Sequence, residues 1–184
     1  MAFTHILGFY DFYFSQSIRD DKNILECGIG TNNLEYNSNM SSSGTPGASL
    51  IVLRDYFTEA DIYGIDIVES VLFQENRIRT FQVDQTDPSS ILFFKQKINN
   101  VKFELVIDDG LHTFDPAITL FENLQSCLGK NFKYIIEDVY PIDISKCIEY
   151  FSKKKYVIQV IELFRDKKLH NKMGDYNLIF ILSH

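Results

Sequence analysis

Asn23-Ile24-Leu25-Glu26-Cys27-Gly28-Ile29-Gly30-Thr31 is a short apolar run that passes through an acid into a glycine turn. It reads as a β-strand followed by a turn in which Gly28 and Gly30 can adopt positive φ and let backbone approach a ligand closely. An ordinary tight strand-to-helix turn has the same spelling, so the remaining strand ends decide what this one means. Further apolar runs occur at Asp61–Ile65, Ile78–Val83, Leu105–Ile107, Tyr134–Ile136, Tyr156–Leu163 and Asn177–Leu182. Segments of helical period separate them at Ala48–Phe57, Ile67–Gln74, Pro88–Lys97, Pro116–Cys127 and Ile144–Lys153, with an aromatic helix ahead of the first strand. Alternation of this kind predicts βαβ units and a parallel sheet. The last two strands are joined by 165–175, which is charged, contains Gly174 and lacks helical period, so they should pair antiparallel. The expected fold is α/β: a seven-stranded, mostly parallel sheet with a C-terminal antiparallel strand and helices on both faces.

A chain of 184 residues with 45% hydrophobic side chains can bury a full core, so one domain over 1–184 is expected. Within it, 1–21 reads as a helical lid or packing segment, and the Ser-, Asn- and Gly-rich stretch 37–47 as a mobile loop. The net charge of -7 gives no electrostatic reason to bind nucleic acid, and the basic run Lys153-Lys154-Lys155 reads as a solvated helix end. No run approaches eighteen apolar residues, which argues against a membrane span, and the first residues lack the basic start and cleavage site of a signal peptide. Cys27, Cys127 and Cys147 suit free thiols in a cytoplasmic protein better than a disulfide framework.

In open α/β sheets ligands bind beyond the carboxyl ends of the strands, and here those ends are polar. The second strand closes in Tyr63-Gly64-Ile65-Asp66. The two oxygens of Asp66 can accept both hydroxyl hydrogens of an adenosine ribose, or Asp66 can cap the next helix. After the third strand, Asp84 or Gln85 can hydrogen-bond an adenine amino group, while Asp87 before Pro88 reads as an N-cap. The fourth strand ends in Asp108-Asp109-Gly110-Leu111-His112 and the fifth in Glu137-Asp138. Adjacent carboxylates after an apolar strand are costly unless a cation or donors meet them. Neighbouring strands lie about 4.8 Å apart, so Asp109, Glu137 and Asp138 can converge on one hard cation, magnesium rather than zinc. His112 beside such a cation is a candidate general base; alone it would read as a loop histidine bonded to backbone. The aromatic pairs Phe9-Tyr10 and Phe93-Phe94 read as packing.

These residues, with Gly47-Ala48-Ser49-Leu50 through Arg54-Asp55-Tyr56-Phe57, resemble class I S-adenosylmethionine-dependent methyltransferases. The similarity is to the metal-dependent sugar O-methyltransferases of macrolide biosynthesis and their relatives in bacterial surface-glycan clusters, and it runs from about Ile24 to Leu182. Its most specific element is Asp-Asp-Gly-x-His paired with the later Glu-Asp. The resemblance implies a Rossmann-like class I methyltransferase fold, with Glu26, Gly28, Gly30 and Ser49 beside the methionine part of S-adenosylmethionine. It places Asp66 at the ribose, Asp84 or Gln85 at the adenine, and Asp108 among the cofactor-binding residues. Asp109, Glu137 and Asp138 would hold Mg2+, with Asp109 also counted as catalytic, and His112 would take the proton of a substrate hydroxyl as it attacks the methyl group. Departures are Leu111, where the family usually has a small residue, the modified loop Thr45-Pro46-Gly47, and the missing N-terminal domain of the macrolide enzymes. The pocket for a small-molecule acceptor would then come from 1–21, 33–43 and 165–175 or from another subunit, and the aromatic N-terminus is compatible with a homodimer.

Three other readings compete. A methyltransferase of the same fold can act on an amine. A nicotinamide-dependent oxidoreductase shares the glycine turn and Asp66, but Glu26 would repel its pyrophosphate, and the acid cluster and terminal antiparallel pair do not suit it. A non-catalytic cofactor-binding subunit fits the short chain but leaves the acid and histidine cluster unexplained.

Overall fold

The computed structural model describes residues 23–36, 38–40, 42, 44–163 and 176–182. The strands are β1 (Asn23–Cys27), β2 (Asp61–Asp66), β3 (Gln74–Glu75), β4 (Ile78–Gln82), β5 (Phe103–Asp108), β6 (Leu128–Glu137), β7 (Val157–Leu163) and β8 (Tyr176–Leu182). The α-helices are α1 (Ala48–Tyr56), α2 (Pro88–Lys97), α3 (Phe114–Leu124) and α4 (Pro141–Lys153).

One sheet runs β3-β4-β2-β1-β5-β6-β8-β7. From β4 to β6 every pairing is parallel, whereas β8 lies antiparallel between β6 and β7. β1, β2 and β5 are buried along almost their whole length, as expected of parallel strands covered on both faces. Alternate side chains therefore feed two cores. Leu25, Tyr63, Ile65 and Val106 pack with α2, α3 and α4 through Phe94, Phe121 and Phe151. Ile24, Ile62, Leu105 and Ile107 pack with α1 through Leu50 and Leu53. After β1 the chain winds outward through β2 to β4, then crosses back to β5 and winds the other way. The carboxyl ends of β1 and β5 thus flank the point where strand order reverses, the place where this class of sheet opens a ligand crevice.

The alternation and terminal antiparallel pair follow the sequence expectation; the segment Ile67–Gln74 does not. It forms one 3₁₀ turn at Glu69–Val71 and then the short strand β3, which pairs antiparallel with β4. Side chains draw its backbone away from an α-helix: Asp66 Oδ1 accepts from the Val68 amide, and Thr80 Oγ lies 2.6 Å from both the amide and the carbonyl of Phe73. Among the described residues the sheet consequently has eight strands rather than seven. The aromatic helix expected at 1–21 and the connection 165–175 lie outside the described residues. Among the described residues no helix is long and apolar enough to cross a membrane, and Cys27, Cys127 and Cys147 are all buried and unpaired.

Candidate active site at the carboxyl ends of β1 and β5

Backbone bonds stitch three strand ends together. The Gly28 amide donates to Ile65 O at 2.8 Å, and the Asp109 amide to Cys27 O at 2.9 Å. Gly28 has φ 85°, and a Cβ there would stand 2.2 Å from the Asp109 carbonyl oxygen, so only glycine lets the turns after β1 and β5 approach this closely. Gly30, at φ 87°, is covered instead by the Met40 thioether.

Asp66 closes the β2 side. Its Oδ2 accepts from the Ile29 amide at 3.0 Å and its Oδ1 from Val68 at 2.9 Å, tying the glycine turn to the end of β2. Each oxygen retains one lone pair for a further donor. Glu26, one residue before the end of β1, is 4% exposed, and its Oε2 accepts from Ser49 Oγ on α1 at 2.8 Å. Burial pushes its carboxyl up to about 8; the Ser49 bond opposes this, and Glu137 and Asp66 reinforce it. A carboxyl in that position gains charge readily only when a cation joins it.

The residues after β5 form the centre of the site. Register sets Asp108 beside Ile136, so Asp109, the first residue past β5, comes level with Glu137, the last of β6. Asp109 is 40% exposed at its side chain. Desolvation in this recess, followed by repulsion from Glu137, Glu26, Asp138 and Asp108, pushes its carboxyl well above the ordinary range. Asp108 points to the opposite face of the sheet. Burial raises it to about 6, while the Gly110 amide and Gln85 pull it down, and its Oδ2 has no hydrogen-bond partner.

His112 adopts φ 58°, which turns its ring back over the strand ends. Its Nδ1 lies 3.3 Å from the Glu137 carbonyl and 4.0 Å from Asp109 Oδ1, and its Nε2 is 3.2 Å from Ser38 Oγ. Burial holds the imidazole below its ordinary range, partly offset by the Glu137 carbonyl.

Of the two residues expected near an adenine, Asp84 closes its own turn by accepting from the amide and hydroxyl of Thr86. Gln85 is buried and holds the turn after β5, donating to Asp108 Oδ1 at 3.3 Å and accepting from the Leu111 amide at 3.0 Å. The sequence reading missed this bracing, and it also missed Ser38 and Met40, which come from a stretch legible only as a loop.

Among the described residues, no group of three or more His, Cys, Asp or Glu side chains is already gathered to hold a metal ion. Asp109, Glu137 and Asp138 share one edge, but their carboxylates do not meet at a point. Their donor chemistry fits a hard divalent cation, being all oxygen, and the crowding that raises Asp109 is the electrostatic strain such a cation relieves.

No family model matches the chain. Over 131 residues, 71% of the chain, it is 30% identical to demethylmacrocin O-methyltransferase of Streptomyces fradiae. Over 93 residues, half of the chain, it is 33% identical to 8-demethyl-8-alpha-L-rhamnosyl tetracenomycin-C 2'-O-methyltransferase of Streptomyces olivaceus. These alignments cover only 31% and 24% of the relatives' own lengths. A solved methyltransferase of the mycinamycin biosynthetic pathway, MycE, superposes on 96% of the chain with a TM-score of 0.66 and 22% identity, through 49% of its own chain. The fold is the class I methyltransferase fold. In that fold the crevice just described is the one the sheet topology provides, and the similarity to sugar O-methyltransferases inferred from the motifs is borne out by the relatives' names.

Proposed function

We propose that the chain transfers a methyl group from S-adenosylmethionine to a hydroxyl of a small acceptor, a sugar or a surface-glycan or natural-product precursor, with magnesium assistance and in the cytoplasm. The observation that carries this reading is the meeting, at one edge of the sheet, of a glycine turn, a buried acid at the end of β2, and a histidine among carboxylates. The relatives' names support it, as does the complex of the mycinamycin enzyme with Mg, SAH and mycinamycin VI.

Gly28 and Gly30 offer backbone, and Glu26 with Ser49 offers a buried carboxyl that favours a cationic ligand over a pyrophosphate. Asp66 would take the ribose hydroxyls on its remaining lone pairs, with Asp84 left at the adenine edge and Asp108 beneath it. Asp109, Glu137 and Asp138 would hold the metal. When bound, magnesium would orient the acceptor and lower the pKa of its hydroxyl, and S-adenosylmethionine would supply the sulfonium methyl. His112 Nε2 would take the hydroxyl proton; Nδ1, held against the Glu137 carbonyl, fixes the ring that does so. Alignment of acceptor oxygen and methyl group in one line is the larger part of the protein's contribution. The rest of the acceptor pocket would come from 33–43 or from a second copy in a homodimer.

Calorimetric titration with S-adenosylmethionine and with NAD, each with and without magnesium, tests the reading. Binding of S-adenosylmethionine alone is expected; NAD binding, or neither, overturns it.

A further inference from the structure

Ser38 brings a hydroxyl to the ring nitrogen of His112 that faces away from the sheet. Its Oγ lies 3.2 Å from His112 Nε2 and 2.8 Å from the Gly110 carbonyl oxygen. On the far side of the ring, Nδ1 faces the Glu137 carbonyl, which can only accept, so Nδ1 carries the hydrogen and Nε2 of the neutral ring is an acceptor. Ser38 has a single hydrogen and two acceptors within reach. Given to Nε2, that hydrogen reproduces the contact between a general base and the alcohol it deprotonates.

We propose that Ser38 is a stand-in for the acceptor alcohol, its hydroxyl occupying on His112 Nε2 the place that the acceptor hydroxyl takes and yielding it when the acceptor binds. The exchange requires Oγ itself to swing off Nε2 by rotation about Cα–Cβ; the acceptor then supplies a new donor to Nε2, and the half-buried Gly110 carbonyl passes from Ser38 to water. The loop carrying Ser38 is anchored for this task. Two residues on, the Met40 amide donates to Thr31 O at 2.8 Å and the Met40 side chain covers Gly30. Ser38 therefore stands over the carboxyl ends of the strands, between the glycine turn and the turn after β5. The inference rests on His112 being the base and requires of the acceptor only a hydroxyl.

Diethyl pyrocarbonate, applied to the whole chain at fixed pH with peptide mass mapping of His112, tests the contact itself without a known acceptor, and methyl transfer to an acceptor alcohol separates it from the base assignment. With Nδ1 against a carbonyl, carbethoxylation reports on Nε2. Ser38→Ala and Ser38→Gly should label His112 about fivefold faster, the factor equivalent to losing one hydrogen bond of ~1 kcal/mol, while Ser38→Thr keeps the wild-type rate. Equal rates in all four proteins, or slower labelling in the alanine and glycine variants, overturn the proposal. If labelling responds to Ser38 but full modification of His112 leaves methyl transfer intact, it is the base assignment that fails. If modification abolishes transfer while labelling ignores Ser38, the base stands and the stand-in falls.

Discussion

Gly28→Ala and Gly30→Ala are the same chemical change two residues apart, and the structure separates their consequences. Both add a methyl group at a φ near the left-handed region, 85° and 87°, which costs roughly 1–2 kcal/mol of backbone strain. At Gly30 the new Cβ would stand 2.2 Å from Met40 Sδ, and a thioether with several rotatable bonds can turn aside. At Gly28 it would stand 2.2 Å from the Asp109 carbonyl oxygen and 2.9 Å from Gly110 Cα, both backbone atoms. Those atoms are held by the Asp109 bond to Cys27 O and by the Leu111 bond to Gln85. Since Cβ atoms essentially never come within 3.0 Å of such a neighbour, the turn after β5 must retreat by about 0.8 Å, the difference between 3.0 and 2.2 Å. Gly28→Ala should therefore cost about 3 kcal/mol, and Gly30→Ala no more than the ~1–2 kcal/mol of strain. The retreat also carries Asp109 and His112 with it, and on the proposed roles of these residues a displacement approaching 1 Å is worth about 100-fold in rate. Urea unfolding of both variants, compared by midpoint at constant slope, measures the first effect, and methyl transfer with magnesium titration the second. Equal losses in the two variants would refute the claim that the β1 and β5 turns are held in backbone contact.

Other consequences follow from individual side chains. Glu26 titrates near 8 in the fold against an ordinary 4.5, so the folded state holds its proton longer; its contribution to stability is fully present below pH 4.5 and is lost as the pH rises through about 8. Glu26→Gln should flatten the fall in melting temperature across that window and gain on the order of a few kcal/mol over the wild type above it; an unchanged pH profile counts against a buried, proton-holding Glu26. Asp66→Ala should abolish S-adenosylmethionine affinity by calorimetry, whereas His112→Ala should spare it and remove turnover; equal loss of binding in both undermines their separate roles. Gln85→Leu should cost ~2 kcal/mol by leaving the Leu111 amide without its partner and buried Asp108 with only the Gly110 amide as donor, and speed hydrogen exchange at Leu111; slow exchange there would show that Gln85 does not brace the turn.

The succession of strands and the polar residues at their ends were legible in the sequence for one physical reason. Parallel strands buried on both faces must be apolar throughout, so the first polar residue after each marks its carboxyl end, and Asp66, Asp108 and Glu137 stand at such ends. The fold then gathers those ends by topology, whatever the intervening loops contain. Ile67–Gln74 was misread because its apolar spacing suits a helix, whereas the bonds that prevent one come from Asp66 and from Thr80 on β4, and the latter pairing is not local in sequence. Gln85 illustrates a related limit: a polar residue after a strand can face the crevice or brace its neighbour, and only the nearness of Gly110, where a Cβ would stand 1.9 Å from Gln85 Oε1, decides for bracing. Ser38 lies furthest from sequence inference. It sits in a stretch of Ser, Asn and Gly with no period, and its relation to His112 depends on how a long connection between β1 and α1 folds back across the strand ends. In a fold of this kind the scaffold fixes where the strand ends stand, so the long connections between its elements are where the open side of the crevice takes its shape.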